Sequence, residues 1–168
     1  DMASSQAMVD LAVEFRGKSA HAAYDPWNGR SAADAAELFT QGVNLMREHI
    51  RPSSRIHYTV VSAGDVPNVI PEYAKVWIWL RDGQRSEVEQ LLARVRLLAS
   101  GAAQMTETAA TVTVQGGNWE MLVNEPGARL LNANLLWLGP PAYTEQEQAF
   151  ARQVQRATGV PETGMFAG

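Results

Sequence analysis

The chain has 168 residues, of which 46% are hydrophobic, enough for one domain with a substantial core. Its formal net charge is −4 and its 14 lysines and arginines are scattered, so we expect no nucleic acid as partner. No apolar run approaches the roughly 20 residues of a membrane span, so we expect no membrane as partner either. It has no cysteine, which excludes disulfides and thiolate metal sites and fits a reducing compartment, so we expect a cytoplasmic location.

Six regular elements are predicted in the first 115 residues. Apolar and polar residues alternate in four segments, which is the pattern of half-buried strands. These segments cover residues 8–16, 55–62, 73–81 and 108–115. Apolar residues recur at intervals of three and four over 32–49 and 86–104, which predicts two helices. The order β-α-β-β-α-β predicts an α+β fold of the ferredoxin-like type, a four-stranded antiparallel sheet with two helices on one face.

The alternation also assigns each strand residue to a face of the sheet. The residues that we expect to face the helices are Val9, Leu11, Val13, Phe15, Ile56, Tyr58, Val60, Val76, Ile78, Leu80, Ala110, Val112 and Val114. The opposite face would carry Trp77 and Trp79, and two exposed tryptophans on an uncovered face would be costly. Either the two rings cover each other, or a partner chain or another domain covers them.

The pattern changes after residue 117. Gly116-Gly117-Asn118 ends the last strand, and two weaker helical segments follow over 128–138 and 144–158. Thr144 and Glu147 have the spacing of a capping box. These segments carry too few apolar residues to build a core alone. We therefore predict a first domain over residues 1–117 and a truncated helical segment over 118–168, and we interpret the chain as a piece of a longer protein.

The loop between the first strand and the first helix carries a histidine, His21. Gly17 ends the strand, and Ser31 suits the N-cap of the helix. A histidine held between two elements without being buried is often a binding side chain, although a solvated surface histidine is more frequent. His49 and His57 lie on other elements, so we expect no metal site within this chain and no complete catalytic constellation.

Two short motifs occur in order on the loops of this predicted fold. The first is Gly17-Lys18-Ser19-Ala20-His21-Ala22-Ala23, followed by Pro26, Gly29 and Ala32-Ala33. The second is Gly64, Asn68, Ile70 and Pro71, followed by Arg81 thirteen residues after Asn68. Together they resemble the dimerisation (lid) domain of the zinc-dependent aminoacylase and carboxypeptidase family of amidohydrolases. The runs 101–108 and 145–155 resemble the p-aminobenzoyl-glutamate hydrolase branch of that family.

The resemblance implies a lid that is inserted into a larger metal-binding domain and that forms a homodimer. It also implies that the truncated segment over residues 118–168 returns into that catalytic domain. It implies that His21 is a catalytic residue that reaches the partner's site and donates a hydrogen bond to the scissile carbonyl as its oxygen gains charge. Asn68 and Arg81 would bind the amide and the terminal carboxylate of the substrate. The divalent metal, zinc or manganese, would belong to the catalytic domain of the parent, and this chain would hold no cofactor. A second, related subunit is the alternative partner.

The implied activity is hydrolysis, by the parent protein, of an N-acyl or aryl amide of an amino acid such as p-aminobenzoyl-glutamate. Whether this piece has activity alone stays open. The alternative function is a non-catalytic dimerisation or small-molecule-binding module of ferredoxin-like shape. Two implied site residues also have structural alternatives, because Asn68 could satisfy a turn and Arg81 could form a surface ion pair with Asp82 or Glu87.

Overall fold

The structure is a computed structural model that describes residues 3–165, so the predicted domain ends at residues 1 and 168 lie outside the described part. The strands are β1 (Ala7–Arg16), β2 (Arg55–Ser62), β3 (Tyr73–Asp82) and β4 (Ala109–Asn118). The helices are α1 (Ala32–Met46), α2 (Arg85–Met105), α3 (Glu125–Leu138) and α4 (Glu145–Thr158), with short 3-10 turns at Pro26–Asn28 and Arg47–His49. None of the helices within residues 3–165 combines the length and apolar character that crossing a membrane would require.

The four strands form one antiparallel sheet in the order β2-β3-β1-β4. This order, with α1 and α2 packed on the sheet, confirms the predicted ferredoxin-like α+β fold. The first helix is shorter than predicted, because the α-helix ends at Met46 and continues only as a 3-10 turn. The last strand is longer than predicted. A register shift opposite Asp10 and Leu11 accommodates an extra residue, and pairing then resumes at Gly116 and Gly117.

The core lies between the two helices and the central strands. Val9, Leu11 and Phe15 of β1 are fully buried, and the ring of Phe15 lies 5.7 Å from that of Phe39 on α1. Full burial of side chains of this size stabilises the fold by about 1.5–3 kcal/mol each. Val60 and Val114 are paired with the buried Val76 and Leu11, which puts them on the predicted face, yet they are 48% and 44% exposed. They lie on the edge strands β2 and β4, whereas the most deeply buried sheet positions belong to β1 and β3.

The ends of two helices have the caps that their sequences predict. The Ser31 hydroxyl accepts a hydrogen bond from the Asp34 backbone N–H at 3.1 Å, at the N-terminus of α1. At α4, Thr144 Oγ1 accepts from the Glu147 N–H at 3.3 Å, and Glu147 Oε2 accepts from the Thr144 N–H at 2.8 Å. This reciprocal pair is a capping box.

The chain divides into two compact units, residues 4–122 and a second unit that includes 123–165. The second unit contains α3 and α4, and neither helix has a buried residue. The exposed apolar residues of α3 are Leu130, Leu131, Leu135, Leu136, Trp137 and Leu138. The proposal that this segment returns to a catalytic domain of the parent stays a prediction.

Candidate functional site

The two motif loops lie at the same end of the sheet. β1 ends at Arg16, which is paired with Tyr73 at the start of β3. The Gly17 N–H donates to the Glu72 carbonyl at 2.8 Å, which joins the two loops where they leave the sheet. A Cβ on Gly17 would lie 1.9 Å from the Arg30 carbonyl oxygen, so the loop closes only with glycine at this position.

Backbone hydrogen bonds pair the two loops directly. The Ala22 N–H donates to the Asn68 carbonyl and the Ile70 N–H donates to the Ala20 carbonyl, both at 2.9 Å. His21 and Val69 form an isolated antiparallel bridge between them. Residues 20–22 and 68–70 are therefore a short two-stranded ribbon, and His21 and Asn68 are neighbours on it.

The imidazole of His21 is held as a hydrogen-bond donor. Its Nδ1 accepts from the backbone N–H groups of Ala23 at 3.3 Å and Tyr24 at 3.2 Å. An atom that accepts two N–H donors carries a lone pair rather than a proton, so the proton of the neutral ring is on Nε2. The side chain is exposed, and in the described part of the chain Nε2 has no partner. The loop therefore presents Nε2–H outward.

Asp25 holds the backbone of the same loop. Its Oδ1 accepts from the His21 backbone N–H at 3.1 Å, and its Oδ2 accepts from Asn28 Nδ2 at 3.3 Å. The carboxylate thus fixes the peptide that carries the imidazole and does not bond the ring. The position of Asp25 close to His21 in the sequence already allows such an orienting role. The signal for it is the Asp25-Pro26 pair followed by Asn28, since such residues favour turns in which a side-chain oxygen caps a nearby N–H.

Asn68 is exposed on the paired ribbon. Its carbonyl accepts from Ala22, but within residues 3–165 its side-chain amide has no hydrogen bond. The turn is made by backbone groups and by Gly64, whose φ of +108° is a conformation that glycine adopts without strain. The Asn68 side chain is therefore not needed for the turn.

Arg81 lies at the other end of β3. It is eight residues beyond Tyr73, which corresponds to about 26 Å along an extended strand. The structure thus brings His21 and Asn68 together and places Arg81 apart from them. The Arg81 side chain lies on the face opposite the helices, with its Cζ 4.9 Å from the centroid of Trp79.

The two acids that could have paired with Arg81 are bonded elsewhere. Asp82 is buried and accepts from Ser54 Oγ at 2.5 Å and from the Gly83 N–H at 2.6 Å. Burial alone would raise the pKa of Asp82, but these hydrogen bonds outweigh it and hold the pKa below its usual range. Glu87 pairs with Arg51 at 3.0 Å. Among the described residues, the Arg81 side chain has neither an ion-pair nor a hydrogen-bond partner.

The uncovered face of the sheet carries the two tryptophans, as predicted. Their ring centroids are 5.9 Å apart in an edge-to-face arrangement. Contact between the rings covers them only in part, because Trp77 is still 41% exposed. No cluster of three or more His, Cys, Asp or Glu side chains suited to a metal ion occurs in residues 3–165.

Residues 4–107, more than half of the chain, match the model of the peptidase dimerisation domain. The chain belongs to that family. The resemblance drawn from the two motifs is confirmed, and the parent family consists of hydrolases and peptidases.

Named relatives agree with this assignment. The chain is 35% identical over 150 residues to one of the p-aminobenzoyl-glutamate hydrolase subunits of Escherichia coli, covering 89% of this chain and 31% of that protein. It is 31% identical over 108 residues to the human Xaa-Arg dipeptidase, covering 64% and 24%. It shares the fold of an aminobenzoyl-glutamate utilization protein from Klebsiella pneumoniae, with a TM-score of 0.67, 21% identity and coverage of 95% and 42%. The chain spans about a quarter to a third of the length of the two hydrolase and dipeptidase relatives.

Proposed function

We propose that this chain is the lid and dimerisation part of a metal-dependent amidohydrolase whose parent hydrolyses an N-acyl or aryl amide of an amino acid. The observation that carries the proposal is the ribbon formed by residues 20–22 and 68–70, which presents a fixed Nε2–H donor on His21 and carries the exposed Asn68 one residue from the bridge partner of His21. Membership of the peptidase dimerisation family supports this proposal, because the parent proteins of that family are hydrolases and peptidases.

His21 acts as an oxyanion donor in this proposal. A preorganised N–H aimed at an oxygen that gains charge stabilises the transition state more than the ground state. The Asp25 carboxylate beside His21 is engaged by the His21 backbone N–H and by Asn28, so in this proposal the general base and the nucleophile belong elsewhere in the parent. The divalent metal, zinc or manganese, would also belong there, because the described residues of this chain form no ligand set for it.

The geometry favours a site shared between two copies of the protein. A dipeptide-sized substrate spans about 7 Å, whereas β3 separates the His21–Asn68 ribbon from Arg81 by about 26 Å of strand. One protomer therefore does not place all three residues on one substrate. We propose that His21 and Asn68 of one protomer and Arg81 of its partner act on the same molecule, with Arg81 binding a carboxylate.

The substrate and partners follow from the relatives as proposals. One relative is named as a p-aminobenzoyl-glutamate hydrolase component, so an aryl amide of glutamate is the substrate that we favour. The partner is a second copy of this chain or a related but different chain, since both named components of that Escherichia coli hydrolase are similar to it. The cysteine-free composition supports a cytoplasmic site of action.

The test is His21→Ala in the full-length parent with p-aminobenzoyl-glutamate as substrate. We expect kcat to fall about 100-fold with little change in KM, because an oxyanion donor acts mainly in the transition state. His49→Ala is the control, since His49 lies on a 3-10 turn away from the ribbon. A non-catalytic module predicts instead that both variants keep the wild-type kcat, and that result would overturn the proposal.

A further inference from the structure

A groove crosses the uncovered face of the sheet between β2 and β3. Its volume is about 270 Å³, and it is lined by His57, Tyr58, Thr59, Trp77 and Trp79. His57 is paired with Trp79 and Thr59 with Trp77, so the groove follows two cross-strand pairs that are consecutive on this face of the sheet. The rings of His57, Trp77 and Trp79 lie on this face, whereas the Tyr58 ring lies on the helix face and bonds Asn44 of α1. Three rings in the lining favour a flat, apolar ligand group.

The two indole N–H groups of this groove are not equivalent. Trp77 Nε1 donates to Asp10 Oδ1 on β1 at 2.5 Å, which turns its polar edge away from β2. Trp79 Nε1 is buried and has no acceptor within the described part of the chain. A buried donor without an acceptor is destabilising, so the fold tolerates a polar defect at this point.

Arg81 brings an uncompensated positive charge to one end of the groove. Its guanidinium lies over the Trp79 ring, and its Nε is also buried without an acceptor among residues 3–165. Arg55 is paired with Arg81 across the two strands. The Arg55 guanidinium donates to the Pro52 and Ser54 carbonyls, so this side of the groove carries two positive charges and a bound anion would balance them. Asp10, the acid on the neighbouring strand, is engaged by Trp77.

We propose that this groove binds a ligand that carries both an aromatic ring and a separate carboxylate. The ring would lie against Trp77 and Trp79, and the carboxylate would bind Arg81. Trp77 and Arg81 are four residues apart, about 13 Å along the strand, which leaves room for a ring and a carboxylate joined through an amide. The planar guanidinium matches a carboxylate in two hydrogen bonds. The inference rests on the proposed function where it names the class of molecule that Arg81 holds, but it does not depend on His21.

The test follows the indole N–H resonances of the 168-residue chain by NMR during titration with p-aminobenzoyl-L-glutamate. The chain has five tryptophans, and Trp→Phe variants assign them. We expect the resonances of Trp77 and Trp79 to shift while that of Trp119 does not. N-acetyl-L-glutamate, which keeps both carboxylates but lacks the ring, should bind about tenfold more weakly because ring stacking is lost.

Three variants locate the binding. Trp79→Leu and Arg81→Gln should each weaken binding of the aryl compound about tenfold. Trp119→Phe is the matched control, since Trp119 is likewise approached by an arginine, Arg85, at 5.9 Å, but lies outside the groove. Because Trp79→Leu removes a large side chain, circular dichroism must show that it folds. If Trp79→Leu does not fold, the binding measurement on Arg81→Gln tests the inference.

Three results would each overturn the inference: unmoved Trp77 and Trp79 resonances at millimolar probe, equal affinity for the two glutamate compounds, or equal weakening by Trp119→Phe. The outcome is separable from that of the proposed function. If the groove does not bind the aryl compound but His21→Ala lowers kcat strongly in the parent, only the aromatic site is rejected. If the groove binds the compound but His21→Ala leaves kcat unchanged, only the catalytic role of His21 is rejected.

Discussion

Single side chains in the first loop decide what the histidine can do. Two backbone N–H groups hold Nδ1 of His21 as an acceptor, and Asp25 holds the peptide that carries the ring. The imidazole is thus oriented by the loop itself, without a carboxylate partner of its own. This arrangement suits a donor and does not suit a general base, because the nitrogen that could accept a proton is already occupied.

Removing the Asp25 carboxylate tests this positioning role. Asp25→Ala in the full-length parent should lower kcat about tenfold, about 1.4 kcal/mol in the barrier, because the His21 peptide loses its anchor. Asp25→Asn should keep most of the rate, since its amide oxygen still accepts from the His21 N–H. Asp65→Ala, an exposed acid on the second loop, is the control. Steady-state kinetics check this, and equal losses in the Ala and Asn variants would mean that charge matters, not the hydrogen bond.

At the scale of elements, a buried acid joins the start of β2 to the end of β3. Asp82 accepts from Ser54 at 2.5 Å and from the Ser53 hydroxyl at 3.3 Å. The pKa of Asp82 is lowered, so the ionised form is favoured in the folded state. The stability that this provides is present above the unfolded pKa of about 3.9 and is lost as pH falls through the lower folded pKa.

Ser54→Ala should lower the free energy of unfolding by about 1–3 kcal/mol at neutral pH, because it leaves a buried carboxylate with one acceptor site unfilled. The loss should be smaller near pH 3, where protonation begins to remove the advantage in the wild type as well. Ser53→Ala, which removes the longer hydrogen bond, is the matched control. Urea unfolding at both pH values provides the measurement, and equal losses at both would contradict the link to Asp82 ionisation.

At the scale of the whole molecule, periodicity predicted the elements, because burial of β1 and β3 on one face imposes strict alternation. It assigned Val60 and Val114 to the correct face but did not show that they are nearly half exposed, since a pattern does not reveal which strands form the sheet edges. The motif alone did not separate Arg81 from His21 and Asn68, although the predicted strand over 73–81 runs between Asn68 and Arg81. The motif spacing counts residues along the chain, whereas the distance depends on how β3 runs. The sequence also did not predict that Arg81 has no ion-pair or hydrogen-bond partner among the described residues, because this depends on which residues are paired across the strands.

Two copies of the chain can associate through an edge strand, which offers unpaired N–H and C=O groups to a second copy. β2 exposes Val60 and Val61 beside α1, which also exposes Leu45, whereas β4 alternates threonines with its valines. We therefore expect the chain to dimerise through β2 and α1.

Leu45→Glu should then weaken the dimer, whereas Leu97→Glu on α2, which lies beside β4, should not. The two leucines are 73% and 72% exposed, so neither change should alter monomer stability by more than about 0.5 kcal/mol. Sedimentation equilibrium at micromolar concentration gives the result. A purely monomeric wild type, or dissociation caused by Leu97→Glu alone, would contradict an interface at β2.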